Sequence, residues 1–384
     1  MAKIEGYCNE PFGKVADVLA ASIDDGKDVG ASVAVTVDGK LVADCWGGWA
    51  DAERTTPWQR DTIVNVFSTT KTMTSLSALV LADRGELDLD APVSRYWPEF
   101  GQNGKDSVLV KQIMSHTSGV SAWDPPVMME DVYDWDKSTS ILAAQAPWWE
   151  PGSASGYHML NHGHLVGEVV RRVSGRRLGQ FFAEEIAGPL HADFHIGLDP
   201  EHELRVAPVI APPPLEFDLG AMDPESPAYK SFISPPCLDE KATVRHANSE
   251  AWRRADIGAA NGHGNGRSVA RIQAVVANGG TIDGVNLLSP ATIDRIFEVQ
   301  SDGIDLVLGI PLTWGIGYAL PRPDTFPYLP THSRICFWGG FGGSMVIVDV
   351  DRRMTIAYMM NQLGEGIIGG PRSTALIEAA FAAV

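Results

Sequence analysis

Ser68-Thr69-Thr70-Lys71 is the stretch on which the reading of this chain turns. It follows the short apolar run Ile63-Val64-Asn65-Val66-Phe67. It opens a helical pattern in which Met73, Leu76, Val80 and Leu81 recur at helix spacing, with Gly85 after Arg84 as a stop. Residues three apart on a helix share a face, so the spacing places Lys71 over Ser68. A serine hydroxyl is a poor nucleophile at neutral pH and needs a nearby base. An amine serves as that base only when desolvation or neighbouring positive charge lowers its pKa. A helix N-terminus adds an unpaired backbone N–H and partial positive charge. One turn can therefore hold a nucleophile, a base and half of an oxyanion hole. The same four residues would also suit a surface lysine one turn past a helix cap, so the rest of the chain must decide.

The 384 residues suit one large domain or two intimate ones, and 45% hydrophobic with 20% charged content is that of a globular chain. A net charge of −18 argues against nucleic acid and anionic membrane surfaces as partners. The N-terminal Met1-Ala2-Lys3-Ile4-Glu5-Gly6 lacks the apolar core of a signal peptide, and no run reaches transmembrane length. Cys8, Cys45, Cys237 and Cys336 show no paired spacing, which supports neither zinc nor a disulfide framework. A reduced, cytoplasmic protein is the expectation.

Phe12, Val15, Leu19 and Ile23 mark a first amphipathic helix ended by Asp24-Asp25-Gly26. Ala31, Val33, Val35 and Val37 alternate as in a half-buried strand, Asp38-Gly39 is a two-residue hairpin turn, and Leu41 to Trp46 return. The other end repeats the arrangement: Ser344 to Val350 and Met354 to Met360 flank Asp351-Arg352-Arg353, before a closing helix from about Ser373 to Ala383. The expected fold is α/β (α+β), an antiparallel sheet built from both chain ends and flanked by helices, with a large helical insert. Residues 1–67 with 260–384 would form the sheet region, and 68–259 the helical region with long loops over the cleft. In that insert Val110 to Met114, Leu160 to Val173 and Leu178 to Ile186 read as helices. Residues 207–240, rich in proline, read as a long surface or cleft-covering loop. Arg267 to Ala277 is a further helix, Thr281 to Leu288 a small hairpin about Asp283-Gly284, and Ser289-Pro290 a capped helix start.

Three other stretches bear on chemistry. In Pro151-Gly152-Ser153-Ala154-Ser155-Gly156-Tyr157 a glycine-rich loop presents a tyrosine just before a helix. Tyr157 would shuttle a proton if a nearby ammonium lowered its pKa. Phe337-Trp338-Gly339-Gly340-Phe341-Gly342-Gly343-Ser344 runs into a buried strand, and its glycines mark close approach of a ligand or another backbone. Its N–H groups would complete an oxyanion hole. Ser115-His116-Thr117-Ser118-Gly119 reads as a structural turn. His158 and His162 are four apart and His164 follows, but no carboxylate accompanies them at a metal-site spacing, so no metal is expected.

Taken in order, Ser-x-x-Lys, His-Thr-Ser-Gly, Pro-Gly…Tyr and Trp-Gly-Gly resemble the serine β-lactamase-like superfamily, which holds class C β-lactamases, DD-peptidases and family VIII carboxylesterases. The resemblance spans roughly Val29 to the C-terminus. Asn261-Gly262-His263-Gly264 and Tyr358-Met359-Met360-Asn361 look like the esterase branch. It implies Ser68 as the acylated nucleophile, Lys71 as its partner and Tyr157 as the tyrosine of Tyr-x-Asn, with the N–H groups of Ser68 and Phe341 as the oxyanion hole. Trp338-Gly339-Gly340 would stand in for Lys-Thr-Gly, and Met159 for the asparagine of Tyr-x-Asn. Both replacements remove polar groups suited to penicillins. No Gly-x-Ser-x-Gly occurs, against an ordinary α/β-hydrolase.

The resemblance and the residues together imply a serine carboxylesterase acting on small-molecule esters through an acyl-enzyme, with no cofactor and with weak β-lactam turnover. A β-lactamase, a D-amino-acid peptidase, an acyltransferase and a catalytically idle ligand-binding relative are the alternatives. Trp123, Trp135, Trp148 and Trp149 gather with Met128, Met129 and Pro147 in the loops before Tyr157. An apolar pocket lined by Trp148, Trp149, Met159 and Trp338, with Gly339 and Gly340 at its sheet side, is the expectation. Oligomeric state does not follow from the sequence.

Overall fold

Asp38 and Gly39 both adopt positive φ, 49° and 74°, as the two-residue turn of a tight hairpin requires. Gly30–Val37 and Lys40–Gly48 pair antiparallel on either side of it. In this computed structural model, which describes residues 2–214, 218–236 and 239–384, that N-terminal hairpin meets the C-terminal one directly. Gly30–Val37 pairs antiparallel with Met354–Met360, setting Val33 opposite Tyr358 and Val35 opposite Ile356. The sheet has nine strands, in the order Ile4–Cys8, Lys40–Gly48, Gly30–Val37, Met354–Met360, Met345–Asp349, Ile335–Gly339, Ala319–Leu320, Pro311–Trp314 and Ser301–Ile304.

Helices cover both faces. On one, the N–H of Gly266 donates to Ser32 Oγ at 2.9 Å and Thr355 Oγ1 donates to the Ala270 carbonyl at 3.0 Å, docking the helix Gly266–Ala277. A Cβ on Gly266 would stand 3.1 Å from Ala34 N and Ser32 O, so glycine permits that approach. Tyr358, three residues past Thr355 and thus on the other face, donates its hydroxyl to Asp28 at 2.7 Å. Asp28 also receives Arg372 at 2.6 Å, from the helix Pro371–Phe381, which packs beside the first helix, Gly13–Asp24.

The local sequence signals explain the helix ends. Asn265 and Ser289 cap their helices by accepting from the N–H of Ser268 and Thr292, and Gly175 closes Asn161–Ser174 at φ 73°. Two segments differ from the expectations. Ser301–Ile304, Pro311–Trp314 and Ala319–Leu320 extend the sheet although they are too short to show a clear alternation. The proline-rich stretch is not all loop: Ser226 caps a short helix, Pro227–Phe232, with the proline at its first turn. Cys237 lies outside the described residues. Among the described residues, no helix is long and apolar enough to cross a membrane.

Candidate active site

The strand Ile63–Asn65 is locked between Val206–Ala207 and His263–Gly264, and the chain then turns sharply. Phe67 takes φ 44°, a left-handed conformation that a bulky residue adopts at a cost of order 1–3 kcal/mol. Neighbouring groups hold it there. Thr70 Oγ1 donates to the Phe67 carbonyl at 2.6 Å and accepts from the Gly262 N–H at 2.9 Å, and Val66 N–H donates to the Gly262 carbonyl at 2.9 Å. Phe67–Thr69 form one 3₁₀ turn, followed by the α-helix Thr70–Asp83. In a 3₁₀ turn residues three apart eclipse, which brings Lys71 onto Ser68 more directly than an α-helical turn would.

That helix is buried on every side from Thr70 to Leu81, where the sequence pattern suggested one apolar face. Small hydroxyl side chains make this possible by bonding to carbonyls: Thr72 to Thr69, Ser77 to Met73, Thr74 to Gly258. Within residues 62–81 only Ser68 is not buried. The fold thus brings one hydroxyl to the surface of a cleft and encloses everything around it.

Lys71 is 2% exposed, and its Nζ has three neighbours: Ser68 Oγ at 3.1 Å, the Met159 carbonyl at 2.6 Å and the Ala259 carbonyl at 3.0 Å. No carboxylate is among them. Burial holds the Lys71 amine well below its ordinary value, which favours its neutral form. A neutral amine has two N–H donors and one lone pair. With its donors given to the two carbonyls, the neutral form would have its lone pair free for the Ser68 hydroxyl at 3.1 Å. Gly163 makes the arrangement possible, because a Cβ there would stand 2.4 Å from Ala259 N and push that carbonyl away.

Tyr157 is buried beside the pair, with the Lys71 nitrogen 4.7 Å from its ring centre. Burial pushes its hydroxyl above the ordinary tyrosine value, against the pull of hydrogen bonds with Ser68 and Trp338. The condition set by the sequence reading, an ammonium that lowers the Tyr157 pKa, is not met, because desolvation outweighs the groups that pull it down. Trp338 Nε1 donates to the Tyr157 oxygen at 3.0 Å, which leaves the phenolic proton for Ser68. Behind Tyr157, His116, His158 and Trp314 complete an aromatic wall. Burial pushes His158 down to about 3, and its ring bonds Ser118 Oγ and the Gly156 carbonyl. Asp305, fully buried, accepts the N–H groups of Tyr157, Val307 and Leu308 at 2.9, 3.0 and 3.0 Å and so fixes the tyrosine's backbone.

Gly340 passes so close to the turn that carries Ser68 that a Cβ on it would lie 2.3 Å from the Val66 carbonyl and 3.0 Å from Ser68 N. Among the described residues, nothing accepts a hydrogen bond from the N–H of Ser68 or of Phe341. Arg372 donates to the Gly342 carbonyl at 2.8 Å and so pins the loop that carries Phe341.

A family model described as "Beta-lactamase" matches residues 15–380. The chain belongs to the β-lactamase family. It is 32% identical over 373 residues to the esterase/β-lactamase LipL of Mycobacterium tuberculosis, covering 94% of this chain and 83% of that one. A solved family VIII carboxylesterase is 40% identical with a TM-score of 0.92, over 100% of both chains. A penicillin-binding protein homologue from Caulobacter crescentus is 38% identical with a TM-score of 0.90, again over 100% of both. The resemblance seen in the motifs therefore holds across the whole fold.

In this β-lactamase-family chain the cleft above Ser68 is a cavity of about 110 Å³. Phe67, Met129, Met159, Leu160, Trp252 and Phe341 line most of it, with Phe232 and Ile367 also in its wall. None of its described lining residues is charged. Five expected lining residues stand elsewhere. Trp148 bonds Asp124 at 3.0 Å, and Trp149 bonds the Ala154 carbonyl and packs on Gly156, buttressing the tyrosine loop from outside. Gly339 and Gly340 serve backbone packing, a Cβ on Gly339 standing 2.8 Å from the Ser344 carbonyl. Trp338 is buried behind Tyr157 rather than open to the cavity. Trp123 and Trp135 are likewise core residues, their N–H groups bonded to Ser138 and Glu168.

Proposed function

We propose that the chain is a serine carboxylesterase of small neutral esters that works through an acyl-enzyme on Ser68. The observation that carries this reading is the buried Lys71 nitrogen, placed by two backbone carbonyls 3.1 Å from Ser68 Oγ where burial lowers its pKa. As Oγ attacks the ester carbonyl, Lys71 takes its proton. The developing oxyanion is held by the N–H groups of Ser68 and Phe341. Tyr157, kept protonated and oriented by Trp338, gives its proton to the departing alkoxide, and the Lys71 ammonium restores it. Water then attacks the acyl group and the same transfers run in reverse.

The cavity favours an ester over a penicillin, because among its described lining residues there is no cation to face a carboxylate. Weak β-lactam turnover belongs to the same reading, since the acylation machinery does not depend on that cation. Purified protein tested on esters, D-amino-acid amides and β-lactams should show kcat/KM highest for neutral esters. Preference for an amide or a β-lactam would overturn the assignment.

Cavity size sets the acyl preference. An apolar cavity of about 150 Å³ takes benzene, so about 110 Å³ has room for roughly four carbons. In a 4-nitrophenyl ester series, each methylene buried should raise kcat/KM about fourfold up to roughly the butyryl ester, and longer chains should add nothing. Flat rates, or preference for an anionic acyl group, would contradict the apolar pocket.

A further inference from the structure

Cys8 and Cys45 are 37 positions apart in the chain, yet their sulfurs lie 2.9 Å from each other. Strand register brings them together. Gly6 stands opposite Cys45 and Cys8 opposite Ala43, so the two cysteines are diagonal neighbours on one face of the antiparallel pair Ile4–Cys8 and Lys40–Gly48. The sulfurs are closer than two unbonded sulfurs in ordinary van der Waals contact. Their environments differ: Cys8 is half-buried on the outermost strand, whereas Cys45 is 2% exposed and lies 3.3 Å from the Tyr7 carbonyl. Neither residue takes part in the site around Ser68, which adjoins the far side of the sheet.

We propose that Cys8 and Cys45 form an oxidant-responsive dithiol that takes a hydroperoxide and closes to an intrachain disulfide. Cys8, the accessible partner, is the nucleophile. The Cys45 S–H bonded to it favours the Cys8 thiolate, so its pKa falls below the ordinary thiol value. The thiolate attacks one peroxide oxygen: an S–O bond forms, the O–O bond breaks, and the leaving hydroxide takes up a proton as water. The Cys45 sulfur then attacks the Cys8 sulfenic acid. The S–S bond forms, the S–O bond breaks, and a second water departs with the Cys45 proton. The two thiols lose two electrons and the peroxide gains them. The product fastens the edge strand, which has a pairing partner on one side only, to the interior of the sheet.

The test uses the whole reduced protein, freed of reductant and treated with a small excess of hydrogen peroxide. It is then alkylated in denaturant and digested without reduction. Mass spectrometry should find the Cys8 peptide joined to the Cys45 peptide, two hydrogens lighter than the separate peptides, with Cys336 still alkylated. Closing a loop of this length should raise Tm by about 5 °C, reversibly with dithiothreitol. Cys8→Ser and Cys45→Ser should each lack that oxidant-dependent rise. Cys8 halted at sulfenic or sulfinic acid while Cys45 alkylates, or Cys8 joined to any other cysteine, would overturn the proposal.

Discussion

Replacing Ser68 by alanine should lower kcat/KM for ester hydrolysis by about 10⁴-fold or more and leave the fold unchanged. The large effect follows from removal of the one atom that bonds to substrate; Lys71 and Tyr157 then have no oxygen to activate. The small structural effect follows from the local geometry. Ser68 is only partly buried, and the turn that holds it is fixed by Thr70, Gly262 and Val66 rather than by its own hydroxyl. Steady-state kinetics with a thermal melt checks both halves. A Ser68→Ala protein that turns over at the native rate would remove the basis of the mechanism.

Lys71→Met should cost about 10² to 10⁴-fold in kcat, because it deletes the base while keeping a buried chain of similar length. Lys71→Arg should be no better, since a guanidinium stays protonated and has no lone pair to offer. The wild-type pH profile gives an independent check on the sign. In the proposed mechanism Lys71 works as the neutral amine, so activity should be present above its folded-state pKa and fall as pH drops through it. The proton on Tyr157 is held above the ordinary 10.0, so the alkaline limb should lie beyond pH 10. The same Lys71 shift bears on stability. The unfolded chain keeps a proton up to about the ordinary 10.5 that the folded site excludes, so this contribution to stability rises with pH between the two values. An acid limb that persists unchanged in Lys71→Met would assign it to another group.

What could be read from the sequence was mostly local. Ser68 and Lys71 are three positions apart, and the Asp38-Gly39 turn and the caps at Asn265 and Ser289 sit next to the elements they delimit. The joining of the two terminal hairpins was legible because each had its own turn signal. The pocket was not. Its lining comes from Phe67, Met129, Leu160, Trp252 and Ile367, which share no spacing, and an apolar residue in a loop looks the same whether it faces core or cleft. Trp148 and Trp149 illustrate this: clustered tryptophans suggested a pocket wall, but each indole N–H found a partner on the outer side of the loop. The two groups that position the Lys71 nitrogen are main-chain carbonyls, of Met159 and Ala259, and backbone atoms leave no mark on composition. Gly163 is their one trace in sequence, visible only once its neighbour across the helix is known. Asp305 was missed for a similar reason, since it holds Tyr157 through that residue's backbone N–H, 148 positions away. The approach of Cys8 to Cys45 depends on strand register, which four scattered cysteines do not disclose.

The central claim is that Ser68 forms a covalent bond to the acyl carbon. Reaction with a fluorophosphonate, which stops at a stable adduct, tests it most directly when intact-mass and peptide-mapping spectrometry are run on the same sample. One equivalent should abolish ester hydrolysis, add one phosphonyl group per chain, and place it on the peptide carrying Ser68. Full activity after exposure, or an adduct on a different residue with Ser68 unmodified, would contradict the account.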